Sequence, residues 1–490
     1  MLLLGIDLGT SSIKVSVIDS ASQKSLCTVQ YPETESAIIA EHPGWAEQSP
    51  EIWWEHVQQA IIKANSSGLY KPEAIGAIGI AYQMHGLVLV DKEQALLRNS
   101  IIWCDSRAVE IGSKAFQVIG EEKCLRELLN SPGNFTASKL AWVKENEPEV
   151  FKKIHKAMLP GDFINMKLSG EINTSISALS EGVFWDFSKN ELSPDTLNYF
   201  GFPTDIFPEV QPVFSEHGHL LEGLATQLSL KPGIPITYKA GDQPNNALSL
   251  NVLKPGEVAA NGGTSGVIYG VSDQLTSDPQ SRINSFAHVN FSNEQKRIGV
   301  LLCINGTGIL NRWTRDVLAP GISYDTMNAE ASAITVGSRG LRILPFGNGA
   351  ERMLNNKNIG AHFHNIDLNL HSRAHIFRAV QEGIAFAFRY GLDIMRENGM
   401  KPELIRAGKT NLFSSELFME AFVNACDVPL ELYSNEGSTG AAIGAGIGVG
   451  EFNVDNAFSN LKPLRTIEPK KSKEYEAVYQ EWKGLLMGHL

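Results

Sequence analysis

The chain is short of cysteine, of excess positive charge and of long apolar runs, and each shortage removes a class of protein. Its 490 residues hold five cysteines, Cys27, Cys104, Cys124, Cys303 and Cys426, with no CxxC spacing among them. A disulfide scaffold or a cysteine-based zinc site is therefore not expected, and a reduced compartment is. Acidic residues exceed basic ones, giving a formal net charge of −12. That argues against a nucleic-acid partner, which requires a basic stripe. No stretch approaches the roughly twenty apolar residues of a membrane span. The N-terminal MLLLGIDLGT has no basic n-region, and its apolar run stops at Asp7, unlike a secretory signal. A cytoplasmic protein that contacts neither membrane nor nucleic acid is the expectation. Both common nucleotide fingerprints are missing as well: no GxGxxG follows the first strand, and no GxxxxGK[ST] occurs.

What is present is ordinary globular material, 43% hydrophobic and 20% charged, enough for large cores. Length sets a prior of about two to four domains. Leu2 to Asp7 reads as a strand running into Gly9, Thr10, Ser11 and Ser12, after which Ile13, Val15 and Val17 mark a second strand. About half a chain later Gly263, Thr264 and Ser265 repeat the turn before Val267 and Ile268. The echo points to two similar α/β halves around a shared central cleft.

A helix is expected from Ser49, a capping type followed by Pro50, with Ile52, Trp53, Val57, Ala60 and Ile61 on its apolar face. A strand over 74–81 leads into Gln83, Met84 and His85. Lys139 to Glu147 reads as helix up to Pro148. Residues 170–215 read as an irregular, polar excursion. Helices near 306–318, 373–398 and 414–426 alternate with strands near 298–304, 404–407 and 429–433. The glycine-rich run 437–450 reads as a helix that either packs closely on a neighbour or touches a nucleotide. The tail 462–484 reads as a solvated helix.

Phosphoryl transfer needs in-line geometry, a cation bridging phosphate oxygens, donors for spreading negative charge, and a base at the attacking hydroxyl. Asp7, ending the first strand between Ile6 and Leu8, is a candidate Mg2+ ligand, because burying an acid there costs energy unless it has a partner. The N–H groups and hydroxyls of the two GTS turns are candidate phosphate donors. Asp242 is a candidate base, against the ordinary reading of an aspartate in a turn as a cap. A lone His85 is more often structural than a ligand, and Trp53, Trp54 and Trp142 read as core.

Taken together, GIDLGTSSIK, PGWAEQSPEIWW, YQMHGLVLVD, IIWCDSR, AGDQPNNA, GGTSGV and EGSTGAAIGAG, in this order and spacing, resemble the FGGY family of carbohydrate kinases. Within it they are most similar to the branch acting on xylulose. The resemblance implies two actin-like, ribonuclease-H-like domains, residues 1–248 and 249–490, with ATP and Mg2+ in the cleft and a ketopentose as acceptor. It implies Asp242 as general base and Asp7 at the magnesium site. Gln83, Met84, His85 and Gln243 fall on the sugar side; Gly308, Gly408 and Asn411 fall at the nucleotide. A homodimer is the expected assembly. Gln243 and Pro244 depart from the family's Gly-Asp-Asn, AGKTNLF replaces a glycine-rich adenine loop, and 173–182 carries only Glu181 as an acid. A kinase of another ketose or polyol, or a non-catalytic actin-like nucleotide-binding module, stands as the alternative.

Overall fold

The computed structural model describes residues 1–434 and 436–490. Its frame is two β-sheets. The first contains β1 (Leu2–Leu8), β2 (Ile13–Asp19), β3 (Ser25–Tyr31), β4 (Ile75–Tyr82), β5 (Gly218–His219) and β6 (Pro235–Gly241), in the order β5-β6-β4-β1-β2-β3. β1, β2 and β3 form an antiparallel meander, and β4 and β6 run parallel to β1.

The second sheet contains β7 (Glu257–Gly262), β8 (Gly266–Ser272), β9 (Asn284–Ala287) and β10 (Ile298–Ile304). After a separate hairpin of β11 (Arg342–Phe346) and β12 (Gly360–His364), it is completed by β13 (Leu404–Gly408), β14 (Leu430–Tyr433) and β15 (Arg465–Ile467). Its central order β10-β8-β7-β13-β14 repeats β3-β2-β1-β4-β6: a meander whose first strand carries, on its other side, two successive parallel strands. The duplicated turn in the sequence thus marks a duplicated sheet, and the expected two-domain α/β fold is the one observed.

The principal helices are α1 (Pro50–Asn65), α2 (Thr136–Asn146), α3 (Ile176–Glu181), α4 (Asp242–Ser249), α5 (Gly308–Leu318), α6 (Arg373–Glu397), α7 (Glu416–Cys426), α8 (Gly437–Gly448) and α9 (Ser472–Met487). Because the first sheet is covered on both faces, β1 is apolar almost throughout. Leu4 and Ile6 join a core with Trp53 and Val57 of α1, whereas Leu3 joins one with Ala441 and Ala442 of α8. A Cβ on Gly5 would lie 1.9 Å from the Ser438 carbonyl oxygen, and one on Gly79 would lie 2.0 Å from that of Ala441. The run 437–450 is therefore a packing helix along most of its length, and it lies on the sheet of the other half of the chain.

Three expectations are corrected. Ile52 is 46% exposed, off the buried face of α1, and the Ser49 side chain makes no capping bond. Residues 170–215 are not irregular: they include α3 and a helix at Pro194–Phe200, and Ser175, Ser177 and Ser180 are buried because their hydroxyls find partners in the chain. The tail is not a solvated helix. It forms β15 and then α9, whose Tyr475, Tyr479, Trp482 and Leu486 recur at helical spacing and are buried.

Candidate active site

Parallel strands deliver the residues that follow them to one edge of a sheet, where open α/β sheets bind ligands. In the first sheet Asp7 of β1 pairs with Ala81 of β4, and Ala81 pairs with Ala240 of β6. Gln83 to His85 leave the end of β4, and Asp242 leaves the end of β6 as the first residue of α4. Asp7 and Asp242 therefore sit two strands apart, about 10 Å along the sheet, with the Gln83–His85 segment between them.

Both carboxyls are shifted in the same direction. Burial pushes Asp242 up to about 7, helped by the Asp7 charge and opposed by hydrogen bonds from Gln243. Burial likewise pushes Asp7 up to about 6, opposed by Lys14 and reinforced by Glu436. Lys14 pairs with Glu436 at 2.9 Å, with both side chains partly exposed. Desolvation pushes the Cys303 thiol of β10 up to about 11, and the Asp242 charge adds to that shift from the first sheet.

Each GTS turn has two successive carbonyls anchored, in the second turn one position earlier than in the first. In the first, the Thr10 carbonyl accepts from Gln48 Nε2 (2.8 Å) and the Ser11 carbonyl from the Ser36 N–H (2.8 Å). In the second, the Gly263 carbonyl accepts from the Gly308 N–H (3.1 Å) and the Thr264 carbonyl from the Ile309 N–H (3.0 Å). In a trans peptide the N–H points opposite to the C=O. Anchoring those carbonyls rearward therefore turns the N–H groups of Ser11 and Ser12, and of Thr264 and Ser265, forward; among the described residues none of the four has an acceptor. Such forward-facing donors suit an anion. The Thr10 hydroxyl, expected as a further phosphate donor, instead donates to Gln83 Oε1 (3.0 Å) and accepts from Trp103 Nε1 (2.9 Å), tying the first turn to the segment after β4.

A cleft of about 380 Å³ opens beside the second turn, lined by Gly263, Thr264, Gly308, Asn311, Tyr324 and Asn411 among others. Gly408 ends β13 behind Asn411 and is not part of that wall.

His85 is held by structure around it. Its backbone is left-handed (φ 63°), its N–H donates to Glu181 Oε1 (3.2 Å), and its Nδ1 meets the Glu181 carbonyl oxygen (3.0 Å). Phe135 and Phe286 pack on the ring, and burial drives its pKa down to about 3, so the imidazole is neutral. Met84 is buried, with its Cγ 2.6 Å from where a Gly241 Cβ would be.

Four groups escaped the sequence reading. Glu181 is buried, its carboxyl is held well above the usual range by desolvation, and its Oε2 has no partner among the described residues. Lys139, also buried, donates to the carbonyls of His85 (2.9 Å) and Ile102 (3.0 Å), and burial brings it down to about 7. Arg352 stacks over Phe135 and donates to Asn284 Oδ1 (2.7 Å), with no carboxylate paired to it among the described residues. Trp103 is 52% exposed beside Thr10. Only Glu181 had a signal, as the sole acid in its segment. Trp53 and Trp54 are core as expected, whereas Trp142 is half-buried with the Arg107 guanidinium 4.8 Å from its ring.

Models of the FGGY family of carbohydrate kinases match this chain twice, the N-terminal domain over residues 2–249 and the C-terminal domain over 258–449. The xylulose kinase of Bacillus subtilis (strain 168) is 29% identical over 497 aligned positions, covering 98% of this chain and 96% of that protein. The xylulose kinase of Escherichia coli (strain K12) is 28% identical over 450 positions, covering 90% and 88%. Among solved structures, a xyloylose kinase from Brucella ovis superposes with a TM-score of 0.89 at 26% identity, covering 99% of this chain and 98% of that one.

Proposed function

Because the chain belongs to the FGGY family of carbohydrate kinases, we propose that its acceptor is a ketopentose, D-xylulose phosphorylated at O5 by ATP. As a member of that family it is a phosphotransferase with an alcohol group as acceptor. The observation that carries the reading is the row of Asp7, Gln83–His85 and Asp242 at one sheet edge, facing a second sheet whose turn offers free N–H groups beside a cleft.

Asp242 accepts the proton of the attacking hydroxyl. Its raised pKa, near 7, suits this role, since a base works best with a pKa close to the operating pH. The turn N–H groups bind phosphate oxygens and take up the charge that spreads over them in the transition state. Gly308 and Asn411 flank the nucleotide, with Gly408 behind them. Gln83, Met84, His85 and Gln243 contact and orient the sugar. Asp7 would hold Mg2+: among the described residues no donor satisfies its partly buried carboxylate, and hard oxygen ligands suit that ion. Held there, Mg2+ would supply positive charge to offset the negative charge of the phosphate oxygens.

The division at 248/249, a homodimeric assembly and a cytoplasmic location belong to the same proposal. Among the described residues no helix is long and apolar enough to cross a membrane. A second reading, another ketose or polyol, is favoured by the unpaired Glu181 oxygen next to His85 and Gly241. Incubating the enzyme with ATP and each ketose or polyol of a panel in a separate reaction, and comparing the yield of the phosphorylated product, decides between them. Xylulose 5-phosphate as the dominant product at low sugar concentration supports the first reading, and a strong preference for another acceptor rejects it.

A further inference from the structure

Away from the two turns, on the outer side of the second half, three histidines converge. His362 and His364 lie two residues apart on β12, so alternation along the strand puts both on one face. The third comes from the far end of α9. That helix is fixed against β11 by Trp482 Nε1 donating to the Ile343 carbonyl (2.7 Å) and by Arg342 pairing with Glu481 (2.6 Å). Beyond it the His489 N–H closes a turn on the Leu486 carbonyl (2.9 Å), its ring is laid over β12, and Lys357, three residues before β12, donates its Nζ to the Leu490 carbonyl.

The rings are close enough to share one ion. The His362 and His489 centroids are 4.0 Å apart, and those of His364 and His489 are 5.3 Å apart. One ring nitrogen from each of the three falls within 4.8 Å of the others. His364 Nε2 and His489 Nε2 face each other at 3.3 Å. A tetrahedral Zn2+ with bonds of about 2.0–2.1 Å holds two ligand nitrogens about 3.3–3.4 Å apart, so these two imidazoles already stand at the ligand-to-ligand distance. His362 Nε2 meets the Ile359 carbonyl oxygen (2.6 Å), the kind of bond that orients a ligating imidazole through its other nitrogen. All three rings are half-buried, which leaves a route for an ion and a fourth position for water.

We propose that His362, His364 and His489 form a binding site for a borderline divalent transition ion, Zn2+ or its Co2+ and Ni2+ analogues, which pins the segment after α9 to the β11–β12 hairpin. Three imidazoles without a carboxylate select this class over Mg2+ or Ca2+. The hairpin is not remote from the turns: a Cβ on Gly306, two residues before α5, would lie 1.9 Å from the Pro345 carbonyl oxygen of β11. The site is distinct from Asp7, which offers a hard oxygen ligand.

The test is Co2+ titration of tag-free enzyme, compared with His364→Ala and His489→Ala. Four-coordinate Co2+ bound by nitrogen absorbs intensely in the visible, whereas an oxygen-ligated, six-coordinate ion at Asp7 absorbs weakly. The proposal expects about one equivalent of the intense species in the unmodified enzyme, displaced by Zn2+ and lost in both variants. It also expects Zn2+ to raise the Tm by about 2 °C or more in the unmodified enzyme alone. Both variants change half-buried rings, and their circular dichroism in chelator checks that they fold. An unmodified enzyme without the intense band, or variants that retain it, would overturn the site.

Discussion

At the scale of single residues, the chemistry rests on carboxyls that folding has made reluctant to ionise. Asp242 has a folded pKa near 7 against an ordinary value of 3.8, with burial as the leading cause. Between those two values the folded state holds a proton that the unfolded state has released, so this group makes stability fall as pH rises through the window. Asp242→Asn removes the penalty. Its Tm is expected to equal that of the parent at pH 4 and to exceed it by a few degrees at pH 8, which thermal unfolding at the two pH values checks. In the parent, kcat/KM is expected to level off above about pH 7, to fall about tenfold per unit between 7 and 6 as Asp242 is protonated, and to fall more steeply below about 6, where Asp7 is protonated as well.

Glu181 makes a different prediction. Its carboxyl, whose pKa burial holds well above the usual range, accepts from the His85 N–H and has one oxygen to spare. Glu181→Gln keeps both an acceptor and a donor, whereas Glu181→Ala strands a buried N–H. Losing a substrate hydrogen bond and that support is expected to raise the sugar KM by about 10- to 100-fold in the alanine variant, at a cost of about 1–3 kcal/mol. The glutamine variant should stay within about threefold of the parent. Equal KM values in all three would mean that Glu181 does not face the sugar.

At the scale of elements, glycine has opposite meanings in the strands under α8 and within α9. In α8 and the strands below it, Gly5 and Gly79 let backbone lie on backbone, so Gly79→Ala drives a methyl into the Ala441 carbonyl and should cost about 1–3 kcal/mol or more. Gly484 lies in α9 with open space where its Cβ would be, so Gly484→Ala should stabilise by about 0.5–1 kcal/mol. Chemical denaturation measures both. Much of this level was legible in the chain: strands with β-branched runs and helices bounded by Pro50 and Pro148 came out close to their observed limits. Residues 170–215 failed because the serines of α3 satisfy their hydroxyls through partners more than a hundred residues away, Ser177 on the Ala287 carbonyl among them. The tail failed because its lysines mask a four-residue apolar stripe.

At the scale of the whole molecule, the two sheets are topological copies, and a short repeated turn was enough to announce them. The sequence could name Asp7 and Asp242, since acids at strand ends are conspicuous. It could not name Arg352 or Lys139, which act on residues distant in the chain. Two halves facing one another across a substrate suggest closure on sugar binding, which excludes water from the phosphoryl group. ATP hydrolysis without sugar is accordingly expected to run at least about 100-fold slower than sugar-dependent turnover; comparable rates would remove closure from the account.

The central claim, that the carboxylate at the end of β6 is the base for phosphoryl transfer, is tested most directly by turnover of Asp242→Asn with D-xylulose and ATP, alongside sugar affinity by calorimetry. A fall in kcat of about 10²- to 10⁴-fold with sugar affinity kept within about threefold is the expected result. Turnover at the parental rate, with sugar bound as tightly, would contradict it.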